Sequence, residues 1–353
     1  MGKSVRRAAC AAVLAAFCLV ALSSCAGGAG DLPPDTLQPA EPGTAATSPG
    51  TVEPETSTPE TSEPGTSIPE TSAPETSAPE TSAPETSAPD TDVPPKLPAG
   101  MTTNITDASA AAVLARIAEA MSSYENAAIY FTDVSGRYAF GIREEKKFHS
   151  ASTIKAPYCL WLVESGQDMA REIVFSASTR TSASGALTKA HVGETFTVAE
   201  LVGYTLRYSD NQAYELLWKT FGAADYDRYV KERGWSSLRL GTGDEWASLT
   251  ARDLSLAMVH LWEVSGADGV LTEHLTHTSF AGQIPRGTHY PAAHKYGYNG
   301  GTAGYHDTAI VFYPGKPYVL TILTRIDGGA PGANDLFRTV ASLSDELIAA
   351  LYP

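Results

Sequence analysis

The sequence predicts an α+β domain: one antiparallel sheet flanked by the helices at its two ends, with a mostly helical subdomain in between. Three observations predict it. The elements run helix, hairpin, helices, three strands, helix, so the terminal helices can pack on a single sheet. The strand runs are joined by short turn sequences, which connect antiparallel neighbours. Apolar periodicity continues from Met101 to Pro353, a length that supports one large core.

Residues from Asp107 to Tyr124 read as an amphipathic helix. Ala127 to Thr132 and Tyr138 to Ile142, joined through Val134-Ser135-Gly136-Arg137, read as a β-hairpin. A helical middle runs from Ser152 to about Val264. Within it, Thr197 followed three residues on by Glu200 reads as a capping box that opens a helix ending near Tyr208. Lys295 to Tyr298, Thr308 to Tyr313 and Tyr318 to Arg325 read as strands. The last two are joined by the turn Pro314-Gly315-Lys316-Pro317. A helix from Asn334 to Leu351 closes the domain.

The residues before this domain are of a different kind. Lys3, Arg6 and Arg7 precede an apolar run from Ala8 to Leu22, a secretion signal too short for a spanning helix. Its ending, Leu22-Ser23-Ser24-Cys25, resembles the lipobox of bacterial lipoproteins. That resemblance implies cleavage before Cys25 and lipidation of its thiol; a retained anchor is the alternative. The expected layout is a leader at 1–24, a tether at 25–100 and a folded domain at 101–353. The tether is rich in Pro, Thr, Ser and Glu, with a five-residue repeat between Glu55 and Asp90, and it has almost nothing apolar to bury. It also holds 13 of the acidic residues against Lys96 alone, so most of the net charge of −15 belongs to it. No basic stripe suggests nucleic acid. The expected setting is the outer face of a bacterial membrane, with the tether reaching into the wall and the domain acting as a monomer. In the body of the protein only Cys159 remains, expected as a small buried residue rather than a nucleophile.

The chemistry sits in three places. Ser152-Thr153-Ile154-Lys155 puts a hydroxyl and an amine one turn apart where a loop enters a helix, so the amine can reach back to the serine. Ser209-Asp210-Asn211 joins two helices, with Asp or Asn as an N-cap. Lys295-Tyr296-Gly297-Tyr298 opens a strand, where Gly297 lets a substrate lie close and Lys295 offers a positive charge to a carboxylate.

These motifs, in this order, resemble those of the penicillin-recognising serine enzymes, the class A β-lactamases and DD-peptidases. Phe148-x-x-Ala151 before the serine, Ser182-Ala183-Ser184-Gly185, and His306-Asp307-Thr308-Ala309-Ile310-Val311 agree with class A-like members. The resemblance implies a serine hydrolase that forms an acyl-enzyme on Ser152 with a β-lactam or a peptidoglycan-type amide and needs no cofactor or metal. Lys155 would be the base, and Ser209 the proton carrier to the leaving nitrogen. Asn211 would bind the substrate amide, and the N–H groups of Ser152 and Tyr298 would hold the oxyanion. A non-catalytic wall-binding or sensor module on a stalk is the alternative, and the full motif set argues against it.

Two departures stand out. The family's Glu-x-x-Leu-Asn on an Ω-loop is missing; Gly243-Asp244-Glu245-Trp246-Ala247-Ser248-Leu249 occupies the place. Asp244 or Glu245 is left as a weak base, against the plainer reading of an acidic turn before a helix capped by Thr250. Rapid release of an acyl group is therefore not expected. Tyr296 stands where the family has Thr or Ser, and strand alternation puts it opposite Lys295 only if no bulge intervenes. His149 and His294 flank the motifs as candidate cleft residues. Glu273-His274-x-x-His277 lacks a partner ligand and reads as a solvated segment rather than a zinc site.

Overall fold

The computed structural model describes residues 100–176, 185–241, 243, 245–280, 282–328 and 332–353. The expected leader, Cys25 and the tether lie outside these, as do Ser182-Ala183-Ser184 and Asp244. Among the described residues no helix is long and apolar enough to cross a membrane.

The sheet has six strands in the order β1-β3-β2-β10-β9-β8, each pair antiparallel. They are β1 Met101–Thr103, β2 Ala127–Asp133, β3 Ala139–Ile142, β8 Ala292–Asn299, β9 Gly304–Val311 and β10 Tyr318–Arg325. Alternation along the central strands feeds two cores, as a pleated strand requires. Ile129 and Phe131 of β2, with Leu320 and Ile322 of β10, face the terminal helices α1 Ala108–Ser122 and α8 Ala333–Leu351. Ala128, Val319 and Leu323 face the helical subdomain. Thr321 also looks that way; its hydroxyl bonds to Thr308 Oγ1 at 2.6 Å and accepts from Ser255 Oγ at 2.7 Å, so the buried hydroxyls are satisfied.

At the heart of the helical subdomain is α2 Lys155–Glu164, of which every residue but the last is buried. Around it lie α3 Val198–Arg207, α4 Asn211–Phe221, α5 Ala224–Glu232 and α6 Ala251–Ser265, followed by α7 Val270–Thr276. The Thr197–Glu200 capping box forms as expected, and Thr250 caps α6.

Several boundaries differ from expectation. Ser152 sits in a 3-10 turn, Ala151–Ile154, and the α-helix begins only at Lys155. β9 starts at Gly304, after a left-handed Ala303, and stops before Tyr313, whose carbonyl opens the next turn by accepting from Lys316 N. Three short pairings were not foreseen: β1 with β3, β4 Phe148–His149 with β7 Ser248–Leu249, and β5 Glu172–Val174 with β6 Thr195–Thr197. Of the Glu273-His274-x-x-His277 segment, Glu273 and His277 are exposed as expected, while His274 is half-buried against Gly203, where burial lowers its pKa to about 4.

Candidate active site

The site forms where the Ser152 turn, the α3–α4 connection and edge strand β8 meet. The turn is fixed from two sides. Ser150 N donates to Ala247 O at 2.8 Å, and Ser150 Oγ accepts from Ala247 N at 3.1 Å. On the sheet side, His306 Nδ1 accepts from Thr324 N at 3.1 Å, which leaves Nε2 as the donor to His149 O at 2.8 Å. Burial lowers the His306 pKa to about 4, so the ring is neutral and that tautomer holds at ordinary pH. Between these ties Ala151 is held at φ 45, a left-handed conformation that non-glycine residues seldom adopt.

Lys155 is fully buried, and its amine donates to Ser209 O and Asn211 Oδ1, each at 2.6 Å. The expected reach back to Ser152 is thus replaced by two bonds into the second motif. Tyr214 and Trp246 place their rings 5.7 and 5.9 Å from the same nitrogen. Burial, helped by the charge of Lys295, holds the Lys155 pKa well below the usual lysine range.

Ser209 also has positive φ, at 52, in the tight connection from α3 to α4. Asp210 locks that connection. Its Oδ1 caps α4 by accepting from Ala213 N at 2.8 Å, and its Oδ2 accepts from Leu187 N at 2.7 Å. Gln212 Nε2 completes the clamp on Leu187 O at 2.8 Å.

Lys295 is 2% exposed and donates to Ser209 Oγ at 2.9 Å and Tyr296 O at 2.8 Å. Its charge therefore meets the cleft through Ser209 rather than as an open ammonium. Burial lowers its pKa to about 7, against the opposing pull of Asp307. Gly297 lies against the nucleophile turn: a Cβ there would sit 3.0 Å from Ser152 N. The β8–β9 register runs without a bulge from Ala292 to Asn299, so Tyr296 is opposite Lys295. Its ring stacks on Phe280 at 5.9 Å and meets Tyr305 edge-on at 5.6 Å. Tyr298, 49% exposed, follows Gly297 on that same outer face.

The remaining candidates fall to either side. His149 packs near Trp246, with ring centres 6.0 Å apart, close to the cleft. His294 is buried beneath it, bonded to Asp307 Oδ1 at 2.9 Å and Thr278 Oγ1 at 2.7 Å. Glu245 is buried at the mouth of the loop paired to β4, and its carbonyl accepts from Tyr214 OH at 2.7 Å. Cys159 is a buried core thiol whose pKa is pushed up by burial. Sequence reasoning quoted the segments that hold His306 and Trp246 but gave those residues, and Tyr214, no role at the site, because their contacts with the Ser152 turn and Lys155 come from distant segments. Among the described residues no cluster of three metal-ligating side chains occurs.

A family model described as the β-lactamase enzyme family matches residues 111–349. The chain belongs to that family. β-Lactamase ROB-1 of Haemophilus influenzae is 31% identical over 109 residues, 30% of this chain. The chain thus spans only 35% of the length of the curated relatives it matches, ROB-1 of Mannheimia haemolytica among them. Solved structures share the fold over nearly their whole length. A β-lactamase from Desulfarculus baarsii aligns with TM-score 0.59 at 21% identity, covering 68% of this chain and 98% of that one. A PBP-A mutant described as an acyl-enzyme complex with penicillin G aligns with TM-score 0.58 at 19% identity, covering 67% and 96%. The β-lactamase/penicillin-binding α+β fold predicted from the sequence is the fold observed.

Chemically, the site offers a serine in a strained turn and two buried amines that converge on a second serine. The narrow gap between Ser152 N and β8 adds backbone N–H groups. Acyl transfer needs this set.

Proposed function

We propose that this chain is a serine hydrolase lipid-anchored on the extracytoplasmic face of the bacterial cell membrane, forming an acyl-enzyme on Ser152 with a β-lactam or a peptidoglycan-type amide. The supporting observation is the convergence of Lys155 and Lys295, both buried and both lowered in pKa, on Ser209 beside the Ser152 turn. The lowered pKa of desolvated Lys155 favours its neutral amine, the form that takes the Ser152 proton. Ser152 Oγ then bonds to the amide carbon, and the oxyanion rests on the N–H groups of Ser152 and Tyr298. Because Ser209 Oγ accepts from Lys295, its own proton is free for the leaving nitrogen as the C–N bond breaks. Lys155 restores that proton, and Asn211, whose Oδ1 accepts from the Lys155 amine, binds the substrate amide. The Pro- and Glu-rich segment before the domain would carry it outward from a lipid on Cys25.

Water would release the acyl group slowly, because the short loop Gly243–Leu249 lacks the family's Glu-x-x-Leu-Asn pattern and offers only Asp244 or Glu245 as a weak base. Intact-mass measurement after mixing with a penicillin tests the reading. Wild-type protein is expected to gain one adduct that survives for minutes, and Ser152→Ala none. Labelling that survives the substitution removes Ser152 as nucleophile. No adduct and no loss of drug favour the non-catalytic stalk module.

A further inference from the structure

We propose that Trp246 sets the lifetime of the acyl-enzyme: its ring closes the Lys155 side of the Ser152 ester, the side on which water would attack. This rests on Ser152 acting as the acyl acceptor, and it assigns slow release to a side chain that is present as well as to a glutamate that is missing.

The ring is held through both of its chain neighbours. Glu245 O accepts from Tyr214 OH at 2.7 Å, which ties the loop to α4. Ala247 exchanges two bonds with Ser150, at 2.8 and 3.1 Å, which ties it to the turn carrying Ser152. Between these ties the half-buried Trp246 sets its ring centre 5.9 Å from Lys155 Nζ, 5.8 Å from the Tyr214 ring and 6.0 Å from the His149 ring. With Tyr214 at 5.7 Å from the same nitrogen, two rings cover one amine.

Release needs room beside that amine. A water oxygen bonds to the ester carbon, the bond from that carbon to Ser152 Oγ breaks, and one water proton passes through the Lys155 amine to Oγ. Two other sides of the ester are taken in the proposed reaction. The leaving nitrogen departs toward Ser209, and the oxyanion lies against β8. A neutral Lys155 amine spends both hydrogens on Ser209 O and Asn211 Oδ1, so its lone pair is what remains for a water proton. An attacking water held there needs polar partners to orient it. The indole offers one N–H and no acceptor, and the Tyr214 hydroxyl is already turned to Glu245 O. The loop on which the motif resemblance places a water-activating glutamate thus presents an aromatic face. Shutting water out of a reactive intermediate lengthens its life.

The test reads lifetime apart from labelling. Wild-type and variant proteins are acylated with a penicillin, freed of excess drug, and followed by intact mass until the adduct is gone. Trp246→Ala is expected to shorten the half-life of the adduct at least about tenfold, and Trp246→Phe, with a smaller ring, about threefold. A residue that only propped the Ser152 turn would give the opposite sign, because a loosened turn weakens the oxyanion hole that release also uses. A half-life unchanged or lengthened in Trp246→Ala protein therefore overturns the proposal and leaves the missing glutamate as the whole cause. Where Trp246→Ala protein shows no melting transition, Trp246→Phe carries the test with the same signs. An adduct whose lifetime ignores residue 246 removes the proposal alone. No adduct on the wild type removes the acyl-transfer reading, and the proposal with it.

Discussion

Lys295 is where stability and function pull apart. Its pKa falls to about 7 in the fold from an ordinary 10.5, so the unfolded chain binds its proton more tightly between those values. A group of this kind destabilises most at low pH, and the deficit shrinks as pH rises from about 7 toward 10.5. Lys295→Met is expected to raise stability by ~1–4 kcal/mol, as replacing buried charges by apolar groups often does. It should also slow acylation by about 100-fold or more. Chemical denaturation at pH 7 and 9 checks the first: the gain should be smaller at pH 9. Gly297 is the reverse case. A methyl group 3.0 Å from Ser152 N forces the turn or the strand to move by tenths of an ångström. Gly297→Ala is therefore expected to cost about tenfold in acylation, since small misplacements at reacting atoms are expensive, while the melting temperature hardly changes. At this scale the motif residues were legible, because their types and order are local text. His306 and Trp246 were not, because a histidine inside an apolar strand and a tryptophan in a loop look ordinary until distant segments meet.

Between α2, α5 and α6 an ionic cluster ties the helical subdomain together at the far end of α2. Glu164 accepts from Tyr229 OH at 2.7 Å, from Arg233 at 2.7 Å and from His260 Nε2 at 2.9 Å. His260 Nδ1 meets Glu263 at 3.0 Å, and Arg233 lies 3.7 Å over the Tyr229 ring. Burial opposes charge on His260, but the bonds to Glu164 and Glu263 outweigh it and raise its pKa above 6.5. Burial would likewise raise Glu164; the bonds from His260 and Tyr229 hold it down at about 2. A histidine raised in the fold stabilises fully below its unfolded value and loses that contribution as pH climbs through the folded value. Thermal melts should therefore drop by about 2–4 °C on going from pH 6 to pH 8.5, and His260→Gln should flatten that slope. Element by element, capping signals were the most readable. The Thr197–Glu200 box and the Thr250 cap stand where side-chain chemistry put them. β9 was misplaced by several residues because its start depends on Ala303 adopting a left-handed turn, which no alanine advertises.

As a whole molecule, the described residues close their own sheet and cores from Met101 onward, with β1 completing one edge by pairing with β3. Removing residues 1–98 is expected to shift the melting temperature by no more than about 2 °C, whereas a cut after residue 103 removes β1 and should cost more. Cys25→Ser in the full chain should move the protein from the membrane fraction to the medium without altering the melt. The fold class was readable because element order and turn chemistry suffice for an antiparallel sheet of five strands, to which the structure adds the short edge strand β1. Its strand order was not, because the pairing of β2 with β10 depends on segments from opposite ends of the domain.

That same β2–β10 seam sets a timetable. Tyr318 to Thr324 must find Asp133 to Ala127 before the middle of the sheet exists, and β9 has only β10 and β8 to lean on until then. A chain emerging from its N-terminus would hold the β2–β3 hairpin with one side unpaired until β10 arrives almost last. Such a domain stays loose through most of its synthesis and locks only when synthesis is nearly complete. The closing strand thus acts as a latch on when the protein can become active, as well as on its shape.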